Sequence, residues 1–165
     1  MNQSAKVMEA MIGYFEGDIR RINHLVKVYA FAKTIGELEG LDQKTQEILE
    51  IAAITHDIGI KISEEKYHSS SGHYQQLEGP NEAKILLENL GTEAPIIERV
   101  CWLIAHHHTY KNIDTSDYQI LVESDFLVNA WEDEMNSEAV ENVKSRIFRT
   151  KSGTSMLDSM YKRRV

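Results

Sequence analysis

Apolar residues recur at intervals of three and four positions along nearly the whole chain, which is the spacing of one face of an α-helix. The pattern predicts seven or eight helices and no strand. The predicted helices span residues 5–16, 18–39, 42–57, 80–91, 95–108, 117–134, 137–149 and 154–163. We therefore expect an all-α fold, a helical bundle that forms a single domain over residues 1–165.

Several residue types mark the ends of these helices. Asp18 and Asp42 precede helices as N-caps, because an aspartate side chain accepts hydrogen bonds from first-turn amides. Pro80 suits the first turn of a helix, and Gly59 suits a left-handed cap that ends one. The polar segment 63–78 lacks the helical period, so it predicts a loop, which we interpret as a lid over a site.

Ionisable side chains interrupt four of the apolar helices. They are His24, the adjacent His56 and Asp57, the histidine run 106–108, and Asp125. A buried charge needs a partner or a metal ion, and helical bundles build metal centres from side chains that converge from facing helices. Each position also has an ordinary interpretation. His24 would be a hydrogen-bonded core histidine, and His56 with Asp57 a capping pair. The run 106–108 would be a solvated helix end, and Asp125 would face water together with Glu123. Nitrogen and oxygen donors without a thiolate suit Mn, Fe, Co, Ni, Zn or Mg.

Composition narrows the class of protein. The chain has 165 residues, of which 42% are hydrophobic and 27% charged, as in globular proteins. A net charge of −8 argues against stable binding to nucleic acid, and no apolar run approaches the roughly 18 residues of a membrane span. The N-terminal sequence is not that of a signal peptide. The single cysteine, Cys101, lies in the apolar run VCWLIA, so we expect a buried, inert thiol in a cytoplasmic protein.

The ordered set His24, His56-Asp57 and Asp125 resembles the H…HD…D signature of the HD-domain metal-dependent phosphohydrolases. The resemblance extends from His24 to at least Asn129, and its most specific parts are THDIGIK and LVESDFLVNAW. It implies an all-α fold with at least five core helices. It also implies that His24, His56, Asp57 and Asp125 ligate a divalent metal ion.

Some members of the family hold a second metal ion through a mid-chain histidine and a histidine pair. In the run AHHHT of this chain the pair would be His107 and His108. The mid-chain position offers Glu78 in place of a histidine, so the resemblance implies one or two ions. The alternative residues are His106 for the pair and His68 or His73 for the mid-chain position. The GYP element of the cyclic-dinucleotide branch is missing, so hydrolysis of cyclic dinucleotides is not predicted.

The resemblance implies hydrolysis of a phosphoester or phosphoanhydride in a small phosphorylated substrate of nucleotide type. A metal-activated water would attack phosphorus, and Asp57 would orient that water and bridge the ions if there are two. Lys61, four residues after Asp57, is the first candidate for binding the phosphate group. The other candidate cations are Arg20, Arg21, Lys84 and Lys111.

Two other functions stay open at this point. One is a di-iron oxygenase on the same fold, with Glu78 and the histidine pair as iron ligands. The other is a ligand-sensing or interaction module with a vestigial site. In that case the N-terminal helix with Met8 and Met11, and the segment MLDSM, would pack on a partner, whereas otherwise they belong to the core or to a homodimer contact.

Overall fold

The computed structural model of the protein describes residues 2–161, which form nine α-helices and no strand. The all-α prediction is confirmed, with nine helices in this part of the chain where the sequence pattern indicates seven or eight. The helices are α1 (Gln3–Tyr14), α2 (Ile19–Leu38), α3 (Gln43–Thr55), α4 (Gly59–Tyr67), α5 (Gly72–Asn89), α6 (Ala94–His106), α7 (Ser116–Glu132), α8 (Ser137–Ile147) and α9 (Lys151–Met160). Residues 162 and 163, the end of the last predicted helix, lie outside the described part of the chain.

Helix α3 lies at the centre of the fold. All of its residues from 48 to 55 are buried, and it packs against α1, α2, α6 and α7. The predicted caps fix its start and that of α2, since the Asp42 side chain accepts from the amides of Lys44 and Thr45 and Asp18 accepts from Arg21. The C-terminal half of α3 is therefore buried inside the protein.

The prediction of a long loop over residues 63–78 is wrong. Helices α4 and α5 fill most of this segment, and only residues 68–71 lie outside them. The helical period is missing because the buried faces of these helices are made of small and polar residues, chiefly Ser63, Gln75 and Gly79. Pro80 lies inside α5 and not at its start. The lid interpretation has no support from this arrangement.

Gly59 begins α4 and does not end a helix, which corrects the predicted left-handed cap. A side chain at Gly59 would lie 2.7 Å from the Gln75 carbonyl oxygen and 2.8 Å from the Gly79 amide nitrogen. The glycine is therefore needed because α4 and α5 cross in direct backbone contact. This contact brings the first turns of α5 towards the end of α3.

Two interpretations of single residues are decided by the fold. Glu123 and Asp125 are both buried in α7, so the alternative of a carboxylate stripe facing water is wrong. Glu123 accepts hydrogen bonds from Gln119 and from the backbone amides of Arg149 and Thr150, which joins α8 and α9 to α7. Cys101 is half-buried and not fully buried as predicted, but burial still raises the pKa of its thiol, which suits an inert side chain. Among the described helices, none combines the length and hydrophobicity required to cross a bilayer.

Candidate metal centre

Four predicted ligand residues meet where α3 ends. His24 comes from α2, His56 and Asp57 directly follow α3, and Asp125 comes from α7. His56 is fully buried, while His24 and Asp125 are 7% and 5% exposed. The four side chains therefore form one inward-facing cluster, although they are separated along the chain by up to a hundred residues.

Five of the six distances between the four donor atoms of this cluster lie between 3.2 and 3.5 Å. His24 Nε2 lies 3.2 Å from His56 Nε2 and 3.3 Å from Asp125 Oδ1. Asp57 Oδ2 lies 3.4 Å from His24 Nε2 and 3.5 Å from His56 Nε2, and Asp125 Oδ1 also lies 3.5 Å from His56 Nε2. Ligand atoms held about 2.1 Å from one ion lie roughly 3.0 to 3.4 Å apart at octahedral to tetrahedral angles. The spacing fits a single divalent ion between them.

Hydrogen bonds on the far side of each imidazole prepare its Nε2 atom for a cation. The Nδ1 atom of His24 lies 2.8 Å from Glu132 Oε2, and that of His56 lies 2.8 Å from the Ala53 carbonyl. Both oxygens only accept, so each Nδ1 carries a hydrogen and donates it. The two Nε2 atoms face each other and the carboxylates, so a proton or a metal ion between them removes the repulsion of these lone pairs.

The pKa values of the clustered side chains show that the two carboxylates need positive charge beside them. Burial alone would raise the pKa of Asp125, but hydrogen bonds from His24 and His56 hold that pKa well below its ordinary value. Burial likewise opposes the charge of His56, yet the neighbouring Asp57 and Asp125 raise its pKa to about 9. Without a metal ion, protons on the imidazoles would balance the carboxylates. A divalent ion would replace those protons.

A second group of possible ligands shares Asp57 with the first. The carboxylate of Asp57, His107 and His108 have ligand atoms that all lie within 4.8 Å of one another. His107 Nε2 is 3.5 Å from Asp57 Oδ1 and, in the described part of the chain, is buried without a hydrogen-bond partner. Its Nδ1 donates to the Ile104 carbonyl at 2.7 Å. His107 is thus oriented like the histidines of the first group.

His108 has a different environment. Its Nε2 lies 3.0 Å from Gln75 Oε1 and its Nδ1 lies 3.2 Å from the Tyr110 hydroxyl. Burial, followed by the charge of His107, lowers the pKa of His108 to about 4, so the ring is neutral. The structure brings the predicted histidine pair to Asp57, but only His107 has an unpartnered nitrogen.

Two predicted site residues lie elsewhere. Lys61 is exposed, and its Nζ lies 3.3 Å from the Tyr14 carbonyl and 5.1 Å from the centre of the Tyr14 ring. Glu78 accepts from Lys66 Nζ at 2.7 Å and from the Tyr67 hydroxyl at 2.6 Å. The structure therefore places neither residue in the cluster, because Lys61 points towards α1 and Glu78 points towards the end of α4.

The histidines considered as alternatives also lie outside the cluster. His106 stacks on the Trp102 ring, with ring centroids 4.0 Å apart, and its Nδ1 bonds the Trp102 carbonyl. His68 and His73 are exposed. The pair is therefore His107 and His108, without a shift to His106.

Three residues around the site were not predicted. Glu132 accepts from His24, Asn129 donates to Asp125 Oδ1 at 2.9 Å, and Gln75 contacts His108. Asn129 and Glu132 lie four and seven residues after Asp125, so the helical period could have placed them on the same face of α7. Gln75 gave no such signal, since it lies in the polar segment that was interpreted as a loop.

A cavity of about 270 Å³ opens beside the first group. It is lined by Asp18, Arg20, Arg21, His24, Asp57, Ile60, Ser70, Gln75, Asn129, Glu132 and Asp133. A larger open groove of about 1170 Å³ lies between α8 and α9 and contacts none of the clustered histidines or aspartates. The smaller cavity is therefore the one relevant to chemistry at the cluster.

Comparison with known proteins places the chain in a family. The family model described as HD domain matches residues 21–145, which include the whole cluster. The chain belongs to the HD-domain family. The signature that the sequence resembles is thus the set of residues that the fold brings together. Two groups of side chains there could hold a metal ion, namely His24, His56 and Asp57, and Asp57, His107 and His108.

One solved structure supports the HD-domain fold. It is the crystal structure of a predicted HD superfamily hydrolase from an uncultured Thermotogales bacterium, with a TM-score of 0.69 and 22% sequence identity. The alignment covers 95% of this chain and 84% of the other. No curated protein matches the chain.

Proposed function

We propose that this HD-domain protein is a metal-dependent phosphohydrolase that cleaves a phosphoester or phosphoanhydride bond in a small, nucleotide-like substrate. The observation that carries the proposal is the cage of four donor atoms, in which five of the six distances lie between 3.2 and 3.5 Å. His24, His56, Asp57 and Asp125 would hold the ion. When bound, a divalent ion supplies charge stabilisation to a phosphoryl oxygen and makes a bound water acidic.

Asp57 is the residue of the cage best placed to contact a water molecule. Its side chain is 19% exposed, compared with 9% for His24, 7% for Asp125 and 0% for His56. It also lines the cavity, and its second oxygen points towards His107. We infer that Asp57 accepts a hydrogen bond from the attacking water and orients it towards phosphorus.

The cavity also offers a cation for the phosphate group. Arg21 is neutralised by Asp18 at 3.1 Å and Glu64 at 2.5 Å. Arg20 lines the same cavity and forms no ion pair with any residue in the range 2–161. Its guanidinium is suited to a bidentate contact with phosphate oxygens. Arg20 thus takes the role that the sequence assigned first to Lys61.

The size of the cavity supports a small substrate. Pockets for drug-sized ligands have volumes of about 300 to 1,000 Å³, and this one has about 270 Å³. The di-iron alternative depended on Glu78, which pairs with Lys66 and Tyr67. No contact in the described structure therefore favours it over the hydrolase.

The proposal is tested by measuring phosphate release from a panel of nucleotides with added Mn, Co, Ni or Mg. We expect turnover of at least one substrate that stops on chelation and returns with the ion. A purified protein that contains iron and consumes oxygen would instead support the oxygenase. A protein that binds no metal by elemental analysis would support the non-catalytic module.

Substitution of Arg20 should separate the two arginines of the cavity. We expect Arg20→Ala to raise KM about tenfold or more, since a charge-assisted hydrogen bond contributes roughly 1.5 to 3 kcal/mol. Arg21→Ala is the matched control, and its KM should change by less than about threefold because its charge is already paired. Steady-state kinetics with the best substrate of the panel measure both. Equal KM values for Arg20→Ala and the wild type would contradict the assignment.

Metal affinity should depend on pH. Protons on His56 and His24 compete with the ion, and the pKa of His56 is raised to about 9, while that of His24 is also raised. Affinity should therefore increase as pH rises from about 6 to about 8, by roughly tenfold per unit for each proton displaced. Isothermal titration calorimetry in buffers of different ionisation enthalpy measures the affinity and the protons released. A constant affinity over this range would contradict the prediction.

A further inference from the structure

The adjacent residues His107 and His108 differ in whether a ring nitrogen is free of hydrogen-bond partners. His107 Nε2 is buried and has no hydrogen-bond partner in the described chain. Both ring nitrogens of His108 have protein partners, namely Gln75 for Nε2 and Tyr110 for Nδ1. Whichever nitrogen of His108 approaches Asp57 is therefore already in a hydrogen bond.

The amide of Gln75 fixes the hydrogen position on His108. Gln75 Nε2 donates to the Ser70 carbonyl at 2.8 Å, and that carbonyl can only accept. Gln75 Oε1 must then be the atom that faces His108 Nε2, at 3.0 Å. His108 consequently carries its hydrogen on Nε2 and accepts from Tyr110 at Nδ1. A ring nitrogen that carries a hydrogen has no lone pair for a metal ion.

The first turns of α5 hold His108 from other sides as well. Gly72 lies against the ring, since a side chain there would come within 2.8 Å of the His108 Cγ and Cδ2 atoms. Gln76 Oε1 accepts from the His108 amide at 3.0 Å and from the Thr109 hydroxyl at 3.1 Å. Gln75 is 7% exposed, so turning His108 towards a metal ion would leave a buried amide oxygen unpaired.

We propose that Gln75 restricts the centre to one tightly bound divalent ion by keeping His108 as a hydrogen-bond donor. The inference rests on the proposed metal dependence, and Gln75 acts as a positioning residue that sets the number of ions. His107 and Asp57 are then the only two protein ligands on the His107 side of the cluster within residues 2–161. Two ligands hold a second ion weakly, while four hold the first.

The metal content of reconstituted protein tests this proposal. Metal-free full-length chain is loaded with Mn²⁺, desalted and measured by elemental analysis, with calorimetric titration of Mn²⁺ in parallel. We expect one ion per chain for the wild type and two for Gln75→His, which releases His108 and adds an imidazole. Leu77→His is the matched control, because it places the same side chain at an exposed position two residues along α5, and it should bind one ion.

A second variant keeps the test decisive if Gln75→His does not fold, which circular dichroism would show. His108→Ala should bind the tight ion with an affinity within about threefold of the wild type. A loss of more than about tenfold would show that His108 is a ligand and would overturn the proposal. Two tight ions in the wild type would also overturn it, while leaving the phosphohydrolase intact. A wild type that binds no ion would overturn both.

Discussion

Replacement of His56 by alanine is expected to abolish tight metal binding and, with it, phosphate release. His56 is fully buried, and its Nε2 lies between 3.2 and 3.5 Å from the donor atoms of His24, Asp57 and Asp125. Its loss leaves two buried carboxylates with one imidazole. Because loss of a group that only supports a ligand costs about 10- to 100-fold in affinity, loss of His56 itself should cost at least about 100-fold. Calorimetric titration with Mn²⁺ and a phosphate-release assay measure the two effects.

Two further variants show whether such a loss is specific. Lys61→Ala changes an exposed residue that contacts Tyr14, so its metal content and turnover should stay within about twofold of the wild type. Asp125→Asn keeps the shape of the side chain, so a loss similar to that of His56→Ala would not arise from a cavity. Wild-type metal content and turnover in His56→Ala would contradict the proposed centre.

The sequence predicted those helices whose buried faces are apolar. Helices α2, α3, α6 and α7 follow the predicted spans closely, and they carry all of the residues in the four-atom cage or lead directly to them. Helix α4 and the first half of α5 were missed because their contact is made by backbone at Gly59 and Gly79 and by the side chain of Gln75. We infer that the flanking helices belong to the same domain, since α1 packs against α3 and α9 packs against α7.

The sequence also revealed those site residues that contrast with their surroundings. His24, His56 and Asp125 are ionisable residues in apolar helices, which is why the pattern pointed to them. Gln75 could not be found in this way, because a polar residue in a polar segment has no contrast. The position of Lys61 could not be predicted from its spacing to Asp57, since Asp57 lies in the turn between α3 and α4 and not in one helix with Lys61.

Replacement of Asp57 by asparagine should separate metal binding from turnover. Asp57 Oδ2 faces His24 and His56, while Oδ1 faces His107 at 3.5 Å, so both oxygens face nitrogen atoms. Asparagine keeps one oxygen of the same size, so an ion should still bind, with reduced affinity. It loses the other oxygen and the negative charge that would orient the attacking water. Because a small misplacement of a reacting group costs about 100-fold, we expect kcat to fall by at least that factor at saturating Mn²⁺.

Asp133→Asn is the matched control for this prediction. Asp133 lines the same cavity, is exposed and forms no ion pair with any residue between 2 and 161, so the same chemical change there should alter kcat by less than about threefold. Elemental analysis of the assayed samples shows whether the ion is present. A metal-loaded Asp57→Asn protein with kcat within about tenfold of the wild type would exclude Asp57 as the residue that orients the water, since orientation accounts for the larger factor. A protein that has lost its ion even at saturating Mn²⁺ would instead show that Asp57 contributes mainly as a ligand. Asparagine has nearly the same shape as aspartate, so the loss would mean that ion binding requires the negative charge of Asp57.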